Sequence, residues 1–427
     1  MKICIVGSGI SGLSAALALS EKHEVFLFEK NNYFGGHSNT LQIKEEGNSF
    51  SVDTGFIVFN EKNYPNLTSL FETLNVKTKP SKMSFGFSLG NGELEYSGSN
   101  FNSFFAQRKN LFSMDHLKGL YDIFRFKGIA LNFLSQNKDS NESMRDFLLR
   151  NNFGKWFSEM FIVPMGAAIW SVPTGSILDF PANSYLRFFS NHGLLSMLTT
   201  EIDWKTVDGG SVTYVEKIIQ KIGKNAFFNT PVKKLIRKKN KCEVTFGNGK
   251  GKMLFDKVVL SCDGPETLKI IGDASEKEKR ILGMFKTSKN KVVLHGDASH
   301  MPRIKKVWSS WNFITSNIQD SINKPVEVTY WMNKLQNIVS REDIFVTLNP
   351  SKDIDNNKIF YETSYSHPIF DKNTNTAQEL TNSIQGENNI YYAGAKMGFG
   401  FHEDGLNSGL EVAKRLECVP SWFIKER

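Results

Sequence analysis

The sequence predicts a two-domain α/β fold: a discontinuous domain with a parallel sheet, and a second, α+β domain. Three observations lead there. The chain opens as strand, glycine turn, helix and strand over residues 2–28. It closes as strand, glycine loop and helix over "NIYYAGAKMGFGFHEDGLNSGLEVAKRL". Between them, from about 101 to 200, a helical and aromatic stretch interrupts strand-like runs. At 427 residues the chain is too long for one ordinary core. The expected division is 1–80, 205–285 and 386–427 for the first domain, and 81–204 and 286–385 for the second.

The elements follow in order. Residues 2–6 and 24–28 are short apolar strands around a helix near 10–22. "LQIKEEGNSFSVDTG" reads as a hairpin ending at Asp53-Thr54-Gly55. "NYPNLTSLFETLN" is a short helix with Pro65 near its first turn. Phe85, Phe87 and Leu89 alternate before Asn91-Gly92, which marks a second hairpin. "GGSVTYVEKIIQKI" is a helix, "FFNTPVKKLIRKKNKCEVTFGNGK" a strand pair, and "KVVLSCDGP" an apolar strand ending in a turn. "NKVVLHGD", "PVEVTYWM" and "IFVTLNP" are further strands.

Gly7-Ser8-Gly9-Ile10-Ser11-Gly12 fits GxGxxG between the first strand and its helix. Gly7 permits the tight turn, Gly9 lets backbone approach a pyrophosphate, and Gly12 lets helix and strand pack closely. The helix N-terminus offers free N–H groups to phosphates. Glu29 ends the second strand, 22 residues after Gly7, placed to accept hydrogen bonds from ribose hydroxyls, with Lys30 beside it. An acid there disfavours a 2′-phosphate and leaves NAD or FAD. Gly35-Gly36, just before His37, decides for FAD, because a second glycine pair lets the chain pass under the pyrophosphate. Thr54 and Gly55 return backbone toward the same place. The frame is that of a Rossmann-like domain.

Composition excludes several classes. Net charge is +8, yet the basic residues are dispersed and no nucleic-acid-binding signature appears. No apolar run approaches the eighteen residues of a membrane span. The N-terminus lacks a signal-peptide pattern, so a cytoplasmic chain is expected. Cys4, Cys242, Cys262 and Cys418 have no metal or CxxC spacing and are expected as reduced thiols. His295-x-Asp297-x-x-His300 is expected as a strand end and loop, not a metal site.

"GSGISGLSAALAL", "FEKNNYFGGHSNT", "VDTGFIVFN" and "YYAGAKMGFGFHEDGLNSG" resemble, in order, the FAD-dependent amine-oxidase-like superfamily, which includes phytoene-desaturase-type enzymes. "WKTVDGGSVTYV" from Trp204 and "NTPVKKL" resemble its middle segment, which implies that the Val232 backbone meets adenine. "FIVPMGAAIWSVP", "SSWNF", "VTYWMNKLQ" and "GFHEDGLNSG" are similar to a bacterial family of FAD-binding oxidoreductases, related to the N-terminal part of plant cyclopropane fatty-acid synthases. That resemblance implies FAD, an apolar or fatty-acyl substrate, and a lipid methyltransferase as partner. Two departures stand out. Tyr33 and His37 occupy places where amine oxidases carry arginines. Ala395 follows Gly394 where relatives place an acid, so Glu403, Asp404 and Gly405 are expected to present a helix N-terminus to the flavin. Simple helix capping is the other reading of these two acids.

Lys396 and His402 flank the flavin loop and are the candidate catalytic side chains; the alternatives are a surface lysine and a packed histidine. Met165, Ile169 and Trp170 are expected to line an apolar tunnel or to serve as core. The functions consistent with these features are hydride transfer on an acyl chain by desaturation, saturation or isomerisation, oxidation of a small amine, or flavin binding in support of a lipid methyltransferase. Leu117, Leu120, Tyr121, Phe124 and Leu131 share one face of a helix from Asp115, flanked by Lys118, Arg125 and Lys127. This suits peripheral contact with the inner face of a membrane. Phe126 and Phe133 on the opposite face suit a buried domain helix.

Overall fold

The computed structural model describes residues 1–136, 140, 142–195, 202–247, 249 and 251–424. A five-stranded sheet, parallel at every pair, runs in the order Ile390–Tyr392, Lys257–Leu260, Lys2–Val6, Glu24–Phe28, Ala226–Phe227. Strand alternation explains why the first two apolar runs carry so few polar residues. Ile3, Ile5, Val25 and Leu27 enter a core shared with helices Ile10–Leu19, Val212–Ile222 and His402–Arg415. Cys4, Val6, Phe26 and Phe28 enter a second core on the other face. That face is covered by the antiparallel strands Val232–Lys238, Lys241–Phe246 and Gly251–Phe255. A strand buried on both faces must be apolar throughout. Truncating Ile5 to alanine would cost about 2–5 kcal/mol.

The first helix ends at Leu19, short of the expected 22. Lys22 and His23 donate back to the Leu19 carbonyl as a turn, and Glu24 then pairs with the Met1 carbonyl. The need to start the second strand ends the helix.

A seven-stranded mixed sheet runs Ile359–Ile369, Lys286–His295, Phe345–Leu348, Glu327–Trp331, Trp311–Thr315, Phe85–Leu89, Leu94–Ser97. Its only parallel pair joins Trp311–Thr315 to Phe85–Leu89, which sets Phe313 directly opposite Phe87 with rings stacked at 5.5 Å. Helices Met144–Arg150, Val163–Trp170 and Ala182–Asn191 pack their aromatic residues over this apolar face.

Helix Met114–Gln136 is apolar on two faces at once. His116, Gly119, Ile123, Phe126, Ala130 and Phe133 are buried. Leu117, Tyr121, Phe124 and Leu131 are exposed, Tyr121 by 67% and Phe124 by 59%, while Leu120 packs against the core. Arg125 flanks the exposed stripe at Tyr121, whose ring centre lies 6.0 Å from its guanidinium, but it is also tied inward. Its guanidinium bonds Asp122 at 2.6 Å and the Asn151 and Asn152 carbonyls at 2.7 Å each, and lies over the Phe153 ring. No described helix is long and apolar enough to cross a membrane.

Candidate functional site

The carboxyl ends of three neighbouring parallel strands, Lys2–Val6, Lys257–Leu260 and Ile390–Tyr392, open on one cavity of about 1110 Å³. Ligands of open α/β sheets collect at these ends because the loops there face a common crevice. Gly9, Ile10 and Ser11 follow the first strand; Ser261 to Gly264 follow Lys257–Leu260; Gly394, Ala395 and Lys396 follow Ile390–Tyr392. His37, Thr54, Gly55, Phe401 and His402 complete that side.

The glycines behave as the motif requires. A Cβ on Gly12 would sit 1.9 Å from the Gly7 carbonyl oxygen, so helix and turn can touch only through glycine. Gly35 and Gly36 both have positive φ, 118° and 60°. A Cβ on Gly36 would lie 3.1 Å from the Gly9 Cα, so the two glycine turns are packed together. A Cβ on Gly9 would meet nothing within 4 Å: the turn faces open space on the cavity side. This cradle fits a pyrophosphate, and the paired turns fit FAD.

Glu29 is buried, and both its oxygens are engaged. Oε2 accepts from the Ser8 amide at 2.9 Å and the Ser8 hydroxyl at 2.7 Å, and Oε1 from the Asn31 amide at 2.8 Å. The sequence expectation of a free ribose acceptor is thus corrected: Glu29 first fixes the Ser8 turn, which leaves roughly one of its four acceptor sites for a ligand hydroxyl. Val232 is buried at the start of the antiparallel strand Val232–Lys238, close in sequence to Thr230, whose amide donates to the Glu29 carbonyl at 2.7 Å. It lies outside the cavity lining. Lys30 is exposed, 3.9 Å from Glu266.

The closing helix differs from expectation. Its N-terminus borders the cavity through Gly400, Phe401 and His402, but neither acid faces it. Glu403 accepts from the Asn66 and Leu67 amides at 2.9 Å each, capping helix Pro65–Thr73. Burial pushes its carboxyl up to about 7. Asp404 accepts from the Phe399 and Phe401 amides and caps its own helix. A Cβ on Gly405 would lie 2.7 Å from Ile10, so this glycine seats the closing helix on the first.

Neither candidate catalytic side chain is free. The Lys396 ammonium donates to the Cys262 and Ala393 carbonyls at 2.5 and 2.7 Å, tying two strand ends together, and burial lowers it to about 8. His402 Nε2 lies 2.9 Å from the Tyr214 hydroxyl and 3.1 Å from Ser38 Oγ, and its ring stacks on Phe56 at 3.7 Å. Burial lowers it to about 3, so the imidazole is neutral. His37 stacks on Tyr365 and His367, and burial lowers it to about 4. His295 and His300 are held by Thr347 and Glu327, each at 2.7 Å, and Asp297 accepts backbone amides.

The other side of the cavity was only partly visible in the sequence. Met165, Ile169 and Trp170 line it as expected, joined by Phe161 and Phe188. The Trp170 Nε1 donates to the Phe399 carbonyl at 3.2 Å, linking the aromatic helices to the closing loop. The facing sheet contributes Phe85, Trp311, Tyr330, Leu348 and Tyr365. From the strand of Tyr365 to that of Trp311 is four strand steps, about 19 Å. The loop 261–264 and these sheet positions were missed as site residues. The glycine turn after "KVVLSCDGP" could have signalled the first.

Over residues 10–295 the sequence matches the family described as flavin containing amine oxidoreductase. The chain belongs to that family. It is an FAD-dependent oxidoreductase. The fold is shared with a fatty acid isomerase from P. acnes that produces CLA, at TM-score 0.69 and 16% identity over 97% of this chain and 98% of that one. It is also shared with cyclohexylamine oxidase from Brevibacterium oxydans IH-35A, at TM-score 0.66 and 13% identity over 97% and 99%. A 4,4'-diapophytoene desaturase of Staphylococcus aureus (strain MRSA252) is 42% identical over 59 residues, 14% of this chain and 11% of the desaturase. The match therefore spans about a tenth of that relative's length.

Proposed function

We propose that this oxidoreductase acts on a fatty-acyl chain, by desaturation, saturation or isomerisation, within the bacterial family related to the N-terminal part of plant cyclopropane fatty-acid synthases. One observation carries the reading: the cofactor cradle opens into an aromatic, apolar cavity that crosses five strands of the second sheet, from that of Tyr365 to that of Trp311. A long flexible chain gains from such a wall along its whole length, at roughly 0.8 kcal/mol per buried CH₂. A small amine would leave most of it unfilled. When bound, FAD supplies a hydride acceptor and donor, which all three reactions require. The residues on this side exclude water and hold the chain; Trp170 fixes the aromatic helices to the closing loop.

Anaerobic mixing of the holoprotein with cis-unsaturated fatty acids, and separately with putrescine and cyclohexylamine, tests this. Acyl compounds should change the flavin spectrum or emerge with altered double bonds by mass spectrometry. Bleaching by an amine alone, with peroxide released in air, would replace the acyl reading.

The exposed stripe of helix Met114–Gln136 supports an anionic membrane surface as the place where lipid is met. Phe112 is 90% exposed and Met114 65%, continuing the stripe of Leu117, Tyr121, Phe124 and Leu131. The exposed Lys109, Lys118 and Lys127 surround it, complementary to acidic headgroups. A partnership with a lipid methyltransferase rests on the sequence resemblance.

A further inference from the structure

Away from the glycine turns, the cavity wall carries two lysines, Lys82 and Lys334, that lack ion-pair partners among the described residues. The link Ser81–Ser84 runs beside the start of strand Trp311–Thr315 and the end of strand Glu327–Trp331. Ser310 donates its amide to Ser84 Oγ at 2.9 Å and its hydroxyl to the Lys82 carbonyl, so this corner is fixed by its own hydrogen bonds. The half-buried Lys334 reaches Ser84 Oγ at 3.0 Å. Lys82, Ser84, Trp311 and Lys334 all line the cavity.

The charge at this corner is uncompensated. Of the other lysines on the lining, Lys205 pairs with Glu61, Lys286 with Asp371 at 2.9 Å, and Lys396 sits on two carbonyls. Neither Lys82 nor Lys334 has an ion pair among the described residues. Burial lowers Lys334 first, and the neighbouring charge of Lys82 lowers it further. Asp203 and Asp263 are the carboxylates on the lining. Asp203 is exposed and lies within ion-pair distance of neither lysine, and Asp263 caps helix Gly264–Ile270. The Trp311 indole N–H is a separate observation: it is buried and has no hydrogen-bond partner. A buried donor without an acceptor costs about 1–3 kcal/mol, so the orphaned indole N–H marks a locally unsatisfied corner.

We propose that Lys334, with Lys82, binds the carboxylate of a free fatty acid whose hydrocarbon chain runs from this corner along the aromatic wall toward the cofactor. The inference rests on the acyl reading above and narrows it from acyl chains in general to free acids. A phospholipid phosphate would offer the same acceptor chemistry, and the experiment separates the two.

The probes are oleate, methyl oleate and phosphatidylglycerol, titrated calorimetrically into the flavin-loaded protein and into its Lys334→Met, Lys82→Met and Lys334→Arg variants. Retained flavin absorbance shows that each variant is folded. Oleate should bind wild type more tightly than the ester. Lys334→Met should weaken oleate by about ten- to a hundredfold, the worth of a charged hydrogen bond, and leave methyl oleate unchanged. Lys82→Met should act in the same direction by less, and Lys334→Arg should restore most of the loss. Equal binding of acid and ester, or equal loss of both in Lys334→Met, overturns the carboxylate site and leaves the acyl reading standing. Lys334-dependent binding of phosphatidylglycerol without oleate overturns the carboxylate assignment in favour of phosphate. Binding of neither acid nor ester overturns both readings.

Discussion

At the glycine turns Glu29 accepts three protein hydrogen bonds and Gly36 rests on Gly9, whereas at the Ser81–Ser84 corner the Lys334 ammonium has one protein acceptor and the Trp311 indole N–H has none. Both borders belong to one cavity system, yet one is complete before a ligand arrives and the other is not. The cofactor cradle is shaped by backbone, and its side chains serve to hold that backbone. The Ser81–Ser84 corner instead presents an exposed Lys82 and a half-buried Lys334, whose unmet charge would select the head group of the proposed ligand. A resident cofactor needs a rigid seat; an exchanging substrate needs groups whose satisfaction depends on it.

Variants can break that contrast, and the largest effect is expected in the turn itself. Gly9→Val should yield a folded protein without flavin, because its side chain enters open cavity space. Gly12→Val should fail to fold, because its Cβ strikes the Gly7 carbonyl. Absorbance and melting curves of the two purified proteins check the pair; a yellow Gly9→Val would show that the cradle lies elsewhere.

Glu29→Ala comes next. It releases the Ser8 turn, and with the loss of charge-assisted bonds worth about 1.5–3 kcal/mol, flavin affinity should drop roughly 10- to 150-fold. Fluorescence titration of the apoprotein with FAD measures it. Affinity unchanged from wild type would mean that the turn holds its shape without the acid.

A smaller effect is expected on the surface beyond the acyl side. Exchanging Lys109, Lys118 and Lys127 for glutamate should abolish co-sedimentation with anionic liposomes while flavin stays bound, at about 1 kcal/mol per base removed. Wild-type protein that remains in the supernatant at low salt would remove the membrane from the picture.

The most gradual effect, spread over pH, concerns Glu403, a buried carboxyl of the closing helix. Its value rises from 4.5 to about 7 through burial. Between those values the folded chain keeps a proton that the unfolded chain has released. The group's contribution is therefore full below pH 4.5 and declines as pH rises to 7, by at most about 1.4 kcal/mol per unit. Glu403→Gln should flatten that slope in denaturant titrations across the range, with oleate binding unaltered.

The sequence by itself determined the cofactor half. Gly7 to Gly12 lies in one strand–turn–helix unit, and Gly35-Gly36 follows within one more strand, so turn geometry and strand alternation specify them locally. The two-faced apolar strands, the hairpins and the aromatic character of residues 101–195 were legible for the same reason: each is a short-range pattern. Tertiary structure alone decided what polar side chains do. Glu403 caps a helix more than three hundred residues away, Arg125 turns inward onto Asn151 and Asn152, and Lys396 ties two strand ends rather than standing free. Lys82, Trp311 and Lys334 meet because a parallel pair sets Phe85 beside Trp311 and an antiparallel one sets Trp311 opposite Tyr330. No spacing along the chain encodes that meeting, since register between distant strands is fixed by which faces can be buried together.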